Sequence, residues 1–120
     1  MNAMPTLEFS SKEEVNSFHE TKLKELLTHL SENSKHYQKI FKENQLDFQK
    51  ISLKDFNTVP FTSKDDLAKF NDEFLCVGKN KIADYVTTSG TTSDPITFYL
   101  TAKDLERLAY NEEISLRCAN

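Results

Sequence analysis

The stretch VTTSGTTSDP, residues 86–95, places six hydroxyl side chains and one glycine in the seven consecutive positions from Thr87 to Ser93. Gly90, at its centre, is one of only two glycines in the chain. Runs of serine and threonine are usually loops, because their side chains compete with regular backbone pairing. A plain surface turn is therefore the simplest interpretation of this stretch.

The segments on either side of the run favour a more specific interpretation. Residues 82–86 and 96–100 are both rich in β-branched and aromatic residues and have the length of short strands. The pattern predicts a strand, a hydroxyl-rich loop, a second strand and then a helix. A loop of this composition can direct several backbone N–H groups and hydroxyls at one anion, and glycine allows its backbone to approach closely.

Composition limits the class of protein. A chain of 120 residues is one domain at most, and nine phenylalanines and four tyrosines supply enough core volume to fold. The net charge of −4 argues against nucleic acid or an anionic membrane as the main partner. The sequence shows neither an apolar run of transmembrane length nor a secretory signal. Met1-Asn2-Ala3 is compatible with a cloning remnant ahead of Met4.

Cysteine usage points to a reducing compartment. Cys76 and Cys118 have no metal-type spacing, and two cysteines do not make a disulfide framework. We therefore expect a cytoplasmic location.

Two helices are predicted in the first half of the chain. The first is expected near residues 11–31, where Ser10 or Ser11 can form a capping box with the glutamate three positions later. Ser34 can cap a second helix that ends near Asn44. The apolar residues that recur on the inward face are Val15, Phe18, Leu23, Leu26, Leu27 and Leu30 on the first helix, and Tyr37, Ile40 and Phe41 on the second.

The second half is predicted to combine short helices with the two strands. The expected elements are a helical turn over residues 52–56, a short helix that begins at Ser63 and buries Leu67 and Phe70, a turn at residues 78–80, the two strands, and a last helix that begins at Thr101 and Asp104. The fold class is therefore α+β, with the N-terminal helices packed with a short β-hairpin that carries the loop, followed by a helix.

Other candidate chemistry is weak. His19, His29 and His36 have no metal-ligand spacing and are expected to be surface helix residues. Asp65 and Asp66 lie at a helix start, where the helix dipole explains them without catalysis. The chain has no nucleophile-elbow serine and no Gly-Lys-Ser/Thr ending of a Walker loop. We therefore predict no catalytic residue and no metal ligand here, and the anion-binding loop remains the one candidate.

The stretch from Thr88 to Pro95, TSGTTSDP, resembles the phosphate-binding loop of the AMP-forming adenylating enzymes, which typically reads Ser/Thr-Ser-Gly-Thr-Thr-Gly-Lys-Pro. Three further stretches resemble the phenylacetate–CoA ligase branch of that superfamily. They are LKELLTHLSENSKHYQKIF at residues 23–41, VPFTSKDDL at residues 59–67, and FYLTAKDLERLAYNEEISLRCA at residues 98–119. Ser93 and Asp94 replace the glycine and lysine that the loop of this family usually carries.

The resemblance implies a fragment of the large N-terminal, AMP-binding domain of a carboxylate–CoA ligase, spanning residues 1–120. Thr88, Ser89, Gly90, Thr91 and Thr92 would hold the phosphates of ATP. The implied ligands are ATP with Mg²⁺, whose protein ligand lies outside this segment, together with coenzyme A and a carboxylic acid, phenylacetate or another aryl acid. The fragment alone would be inactive and would pair with the C-terminal remainder of its parent.

Two alternatives stay open at the level of sequence. An adenylating parent could pass its acyl group to a different acceptor, as acyl-protein and coenzyme synthetases do. The chain could instead be a small helical binding module with an inert Ser/Thr loop. No nucleic acid or membrane partner is expected, and a homo-oligomer is compatible with apolar surface left exposed on a fragment.

Overall fold

The computed structural model describes residues 10–89 and 95–119. The chain divides into two compact units, Met1–Phe61 and Thr62–Asn120. The first contains helices α1 (Lys12–Asn33) and α2 (Lys35–Glu43). The second contains helix α3 (Lys64–Phe70), strands β1 (Ile82–Thr87) and β2 (Thr97–Thr101), and helix α4 (Ala102–Cys118). The α+β class and the predicted order of helices and strands are confirmed.

Helix α1 begins at a capping box. The Ser11 hydroxyl accepts a hydrogen bond from the Glu14 N–H, and the Glu14 carboxylate accepts one from the Ser11 N–H. Hydrogen bonding of the carboxylate to the Ser11 backbone N–H, and to a lesser extent to the Ser11 hydroxyl, holds the pKa of Glu14 below its ordinary value, since it favours the charged form. Of the two serines that the sequence offered, Ser11 is therefore the cap.

The core of the first unit lies between α1, α2 and the segment that follows them. Its buried members are Leu23, Leu27, Phe41 and Ile51, with Leu30, Tyr37, Leu46, Phe48 and Val59 packed against them. The rings of Phe41 and Phe48 stack with centroids 5.8 Å apart. Leu26 lies at the edge of the apolar stripe and stays 49 % exposed, so its predicted inward position is wrong.

Helix α2 begins and ends as the sequence predicts, but its C-terminus has an unusual residue. Ser34 caps its first turn, and Asn44 is its C-cap. Beyond the cap, the N–H of Gln45 donates to the Lys42 carbonyl and the N–H of Leu46 donates to the Phe41 carbonyl. This is a Schellman motif, in which glycine usually takes the left-handed position. Here Gln45 takes it, with φ of 52°.

The second unit begins with a short capped helix. Ser63 and Asp66 form a capping box at the start of α3, and the predicted inward residues Leu67 and Phe70 are half-buried. The chain then passes through two 3-10 helices, Asn71–Phe74 and Lys79–Lys81, before it enters β1.

Strands β1 and β2 form an antiparallel hairpin, in which Thr87 faces Thr97 and Tyr85 faces Tyr99. Helix α4 follows β2 without a linker. Its first turn is fixed by a third capping box, in which Thr101 and Asp104 exchange hydrogen bonds. Every described residue of α4 keeps some exposure, including the apolar stripe of Leu105, Leu108 and Leu116.

Two further predictions differ from the structure, one in burial and one in extent. His36 was expected at the surface, but it is only 7 % exposed, because the first turn of α2 lies inside the unit and its ring packs edge-on against Tyr37 at 5.5 Å. His19 and His29 are exposed as predicted. At residues 52–56, where a helical turn was expected, the structure has a hydrogen-bonded turn in which the Asp55 N–H donates to the Ser52 carbonyl and the Ser52 hydroxyl donates to the Asp55 carboxylate. The 3-10 helix Phe56–Thr58 follows it directly.

Candidate functional site

The base of the hydroxyl-rich loop is closed by two hydrogen bonds between Thr88 and Ile96. The Thr88 N–H donates to the Ile96 carbonyl at 3.0 Å. The Ile96 N–H donates to the Thr88 side-chain hydroxyl, also at 3.0 Å. Ile96 itself is only 3 % exposed, so the second arm of the loop is anchored by a buried side chain. The two ends of the loop are therefore joined at Thr88 and Ile96.

The predicted phosphate ligands divide between described and undescribed residues. Thr88 is half-buried at the loop base, and Ser89 is exposed just beyond it. Gly90, Thr91 and Thr92 lie outside the described residues, as do Ser93 and Asp94. Their assignment to phosphate stays a prediction.

Thr88 has a structural contact that sequence reasoning did not foresee. Its hydroxyl oxygen serves as the acceptor for the Ile96 amide, and so it completes the ladder where the strands end. A hydroxyl can accept one hydrogen bond and donate another. The contact with Ile96 is therefore compatible with donation from the same hydroxyl to an anion held in the loop.

A segment far away in the sequence supports the second arm of the loop. The Asn71 side-chain amide donates to the Thr97 carbonyl at 2.8 Å in a half-buried position. Asp72, the residue after Asn71, accepts a hydrogen bond on its carboxylate from the Tyr99 hydroxyl at 3.3 Å. Both contacts join the 3-10 helix after α3 to β2. Asn71 was not predicted as part of the site, because its partner is 26 residues away and no local pattern marks the contact.

An exposed ion pair lies beside the hairpin, where Asp72 also contacts Tyr99. The Lys79 ammonium lies 3.0 Å from the Asp72 carboxylate. This hydrogen-bonded pair lowers the pKa of Asp72 and raises that of Lys79. Both side chains face solvent, so water and salt screen the pair and its contribution to stability is small. On the hairpin, the rings of Tyr85 and Tyr99 meet edge to face with centroids 5.4 Å apart.

Residues 10–89 and 95–119 bring together no group of three His, Cys, Asp or Glu side chains that could hold a metal ion. Over the same part of the chain, no helix has both the length and the apolar character needed to cross a bilayer. The described residues form a hairpin whose two strands are joined at Thr88 and Ile96. The sequence of the loop between them supplies hydroxyl and amide donors. Donors of this kind bind anions, and phosphate in particular.

Comparison with known proteins gives three findings. No family model matches the chain. The chain is 33 % identical over 90 residues to Protein CapK from Staphylococcus aureus, covering 74 % of this chain and 20 % of that protein. It is 30 % identical over 115 residues to a phenylacetate–coenzyme A ligase from Aromatoleum evansii, covering 94 % of this chain and 26 % of that protein.

A solved structure shares the fold. It is a crystal structure of 2-hydroxyisobutyryl-CoA ligase in complex with 2-HIB-AMP and CoA, with a TM-score of 0.72 and 22 % identity. The match covers 86 % of this chain and 25 % of that one. The chain thus spans about a fifth to a quarter of the length of the proteins it matches. As the motif resemblance predicts, the chain is a homologue of part of the phenylacetate–coenzyme A ligase-like proteins.

Proposed function

We propose that this chain supplies the phosphate-binding loop of an ATP-dependent, AMP-forming carboxylate–CoA ligase. The observation that carries the proposal is the Thr88–Ile96 closure, which fixes both arms of the TSGTTSDP loop in a chain related to a phenylacetate–coenzyme A ligase. Residues 1–120 are then part of the N-terminal AMP-binding domain of a longer enzyme.

The proposed reaction has two steps. A carboxylate attacks the α-phosphorus of ATP, which gives an acyl-adenylate and releases pyrophosphate. The coenzyme A thiolate then displaces AMP and forms a thioester. In the first step, Thr88, Ser89, Gly90, Thr91 and Thr92 hold the departing pyrophosphate. Hydrogen bonds from hydroxyls and amides to a charged oxygen contribute about 1.5–3 kcal/mol each.

ATP enters such reactions as its Mg²⁺ complex. The described residues do not fit a Mg²⁺ site of their own, because they bring no cluster of carboxylates together. As the family resemblance implies, we propose that the protein ligand of Mg²⁺ lies outside this segment. The exposed apolar side chains of α4, with Leu116 66 % exposed, support the remainder of the enzyme as the partner of this segment.

The identity of the acid is proposed from the relatives. The name of the Aromatoleum protein supports phenylacetate or another aryl acid as substrate and coenzyme A as acceptor. A cytoplasmic location follows from the supply of ATP and coenzyme A in that compartment. The acidic net charge of −4 supports small-molecule partners over nucleic acid or membrane.

Steady-state kinetics on the full-length ligase, with ATP and acid varied separately, test the loop. Thr92→Ala should lower kcat/KM for ATP roughly ten- to a hundred-fold, the effect of one charge-assisted hydrogen bond, and leave the KM for the acid unchanged. Gly90→Ala should be at least as damaging if Gly90 holds φ > 0, because a Cβ there strains the turn. Thr28→Ala, at an exposed position on α1, is the matched control. Unchanged ATP dependence in both loop variants would refute the assignment.

The 120-residue chain alone should not catalyse adenylation. Exchange of labelled pyrophosphate into ATP, measured with the chain and a panel of carboxylic acids, should stay at background while the full-length ligase shows turnover. Clear exchange by the isolated chain would overturn the proposal that it is one part of a larger active site.

A further inference from the structure

The outer edge of β2 is where the hairpin meets Asn71. In an antiparallel pair, residues with their backbone groups turned toward the partner strand alternate with residues whose groups turn away. Thr88 and Ile96 are a bonded pair, so the next pair, Thr87 and Thr97, turns its backbone groups outward. The Thr97 carbonyl therefore faces the outer edge of the hairpin, and Asn71 donates to it there.

The position of Asn71 is fixed by helix α3 and by the contact of its neighbour Asp72. It is the C-cap of α3, and α3 is fixed at its first turn by the capping box of Ser63 and Asp66. The following residue, Asp72, accepts from the Tyr99 hydroxyl two positions further along β2. Two consecutive residues of one 3-10 helix thus hold β2 at two nearby points.

A short chain of contacts runs from Asn71 to the loop. The Asn71 amide bonds the carbonyl of Thr97, the preceding residue Ile96 donates its N–H to the Thr88 hydroxyl, and Ser89 begins the loop directly after Thr88. The Thr97 carbonyl belongs to the Thr97–Phe98 peptide group, and the Ile96 N–H lies two peptide groups earlier. Fixing that carbonyl therefore limits where the first residue of β2 can move, and with it the position of the adjoining Ile96. Donors that are held in place before a ligand arrives need no reorganisation when charge develops on it.

We propose that Asn71 is a positioning residue for the phosphate-binding loop, acting through the Thr97 carbonyl and the Thr88–Ile96 closure. The proposal rests on the function proposed above, and it assigns a role in ATP handling to the segment that follows α3. Asn71 does not touch the phosphates in this scheme. It fixes the start of β2, the strand that follows the loop.

The first measurement is amide hydrogen exchange on the 120-residue chain. Asn71→Ala removes the donor. Asn71→Asp keeps the shape but turns an acceptor toward the Thr97 carbonyl. We expect exchange at the Ile96 amide to accelerate about five- to tenfold in the first variant, the equivalent of one neutral hydrogen bond, and by more in the second. Amides of α1 and α2 serve as internal references, and Asn80→Ala, at an exposed asparagine on the next 3-10 helix, is the matched control.

The second measurement separates positioning from a merely structural role. In the full-length ligase, Asn71→Ala should raise the KM for ATP about five- to tenfold and leave the KM for the acid unchanged. Unchanged exchange at Ile96 in both variants would overturn the proposal. Accelerated exchange with unchanged ATP dependence would also overturn it, provided that Gly90→Ala impairs ATP use. If Gly90→Ala has no effect either, the loop assignment itself fails, and this inference fails with it.

Discussion

Replacing Thr88 with valine tests the closure of the loop directly. The two side chains have nearly the same shape, so the change removes the hydroxyl while keeping the β-branched volume. In the structure, that hydroxyl is the acceptor for the Ile96 N–H at 3.0 Å, in a half-buried position beside a side chain that is 3 % exposed. Valine leaves this N–H without its acceptor, whereas the Thr88 N–H keeps its bond to the Ile96 carbonyl.

The magnitude follows from that geometry. A buried amide that loses its partner costs about 1–3 kcal/mol. The site lies at the mouth of a loop where water has some access, so we expect the lower half of that range, about 1–2 kcal/mol. This corresponds to a five- to thirtyfold acceleration of exchange at the Ile96 amide. Thr88→Ser keeps the hydroxyl and should change exchange at Ile96 far less.

The assay is amide exchange by NMR on the 120-residue chain, with Thr87→Val as the matched control. Thr87 is the last residue of β1 and is exposed, and its pair with Thr97 does not include the Ile96 amide. An exchange rate at Ile96 in Thr88→Val equal to the rates in Thr87→Val and Thr88→Ser would refute the closure by the Thr88 hydroxyl. Equal rates would mean that the hydroxyl does not hold the second arm of the loop.

Three other predictions concern stability and reactivity. Gln45→Gly should raise the free energy of unfolding of the first unit by about 0.5–1 kcal/mol in urea titrations, because glycine adopts the left-handed φ of 52° without a Cβ penalty. In thiol labelling with a disulfide reagent, exposed Cys118 should react before Cys76, whose half-burial raises the pKa of its thiol; equal rates would contradict this. Hydrogen bonds from the Thr101 N–H and hydroxyl lower the pKa of Asp104. The capping box therefore stabilises α4 fully above the ordinary pKa of 3.8, and this stabilisation is lost as the pH falls through the lowered pKa. The NMR chemical shift of the Thr101 amide should follow this titration, and Asp104→Asn should abolish the transition.

Interactions between residues close in sequence could be predicted from the sequence alone. Each of the three capping boxes joins a serine or threonine to an acidic residue three positions later, as in Ser63 and Asp66. Such a pair needs only the residues of one helical turn, so it can form whatever the rest of the chain packs against it. The helix boundaries and the hairpin follow from the same kind of local information. The region after Ile51 shows the limit, because the predicted turn at Ser52 is followed by the 3-10 helix Phe56–Thr58, which the sequence did not indicate.

Contacts between distant residues could not be predicted in this way. The Glu20 carboxylate accepts from the Leu53 N–H across 33 residues, and Asn71 reaches Thr97 across 26. Glu20 and Asn71 are ordinary polar residues of the kind found on any helix surface, so nothing in the sequence marks them as partners of a distant segment. The burial of His36 has the same origin, because its environment is set by what packs on the first turn of α2 and not by its own helical position.

The candidate site combines both kinds of information. Thr88 and Ser89 could be assigned to it from the loop motif, since the hydroxyl run and its strand flanks are local features. The support for that loop comes from α3 and Asn71, which the chain brings to β2 only after folding. VPFTSKDDL at residues 59–67 includes Ser63 and Asp66, which fix the first turn of the helix that ends at Asn71. A change that frays that first turn should therefore loosen the Ile96 amide more than 20 residues away, although it touches no residue of the hairpin.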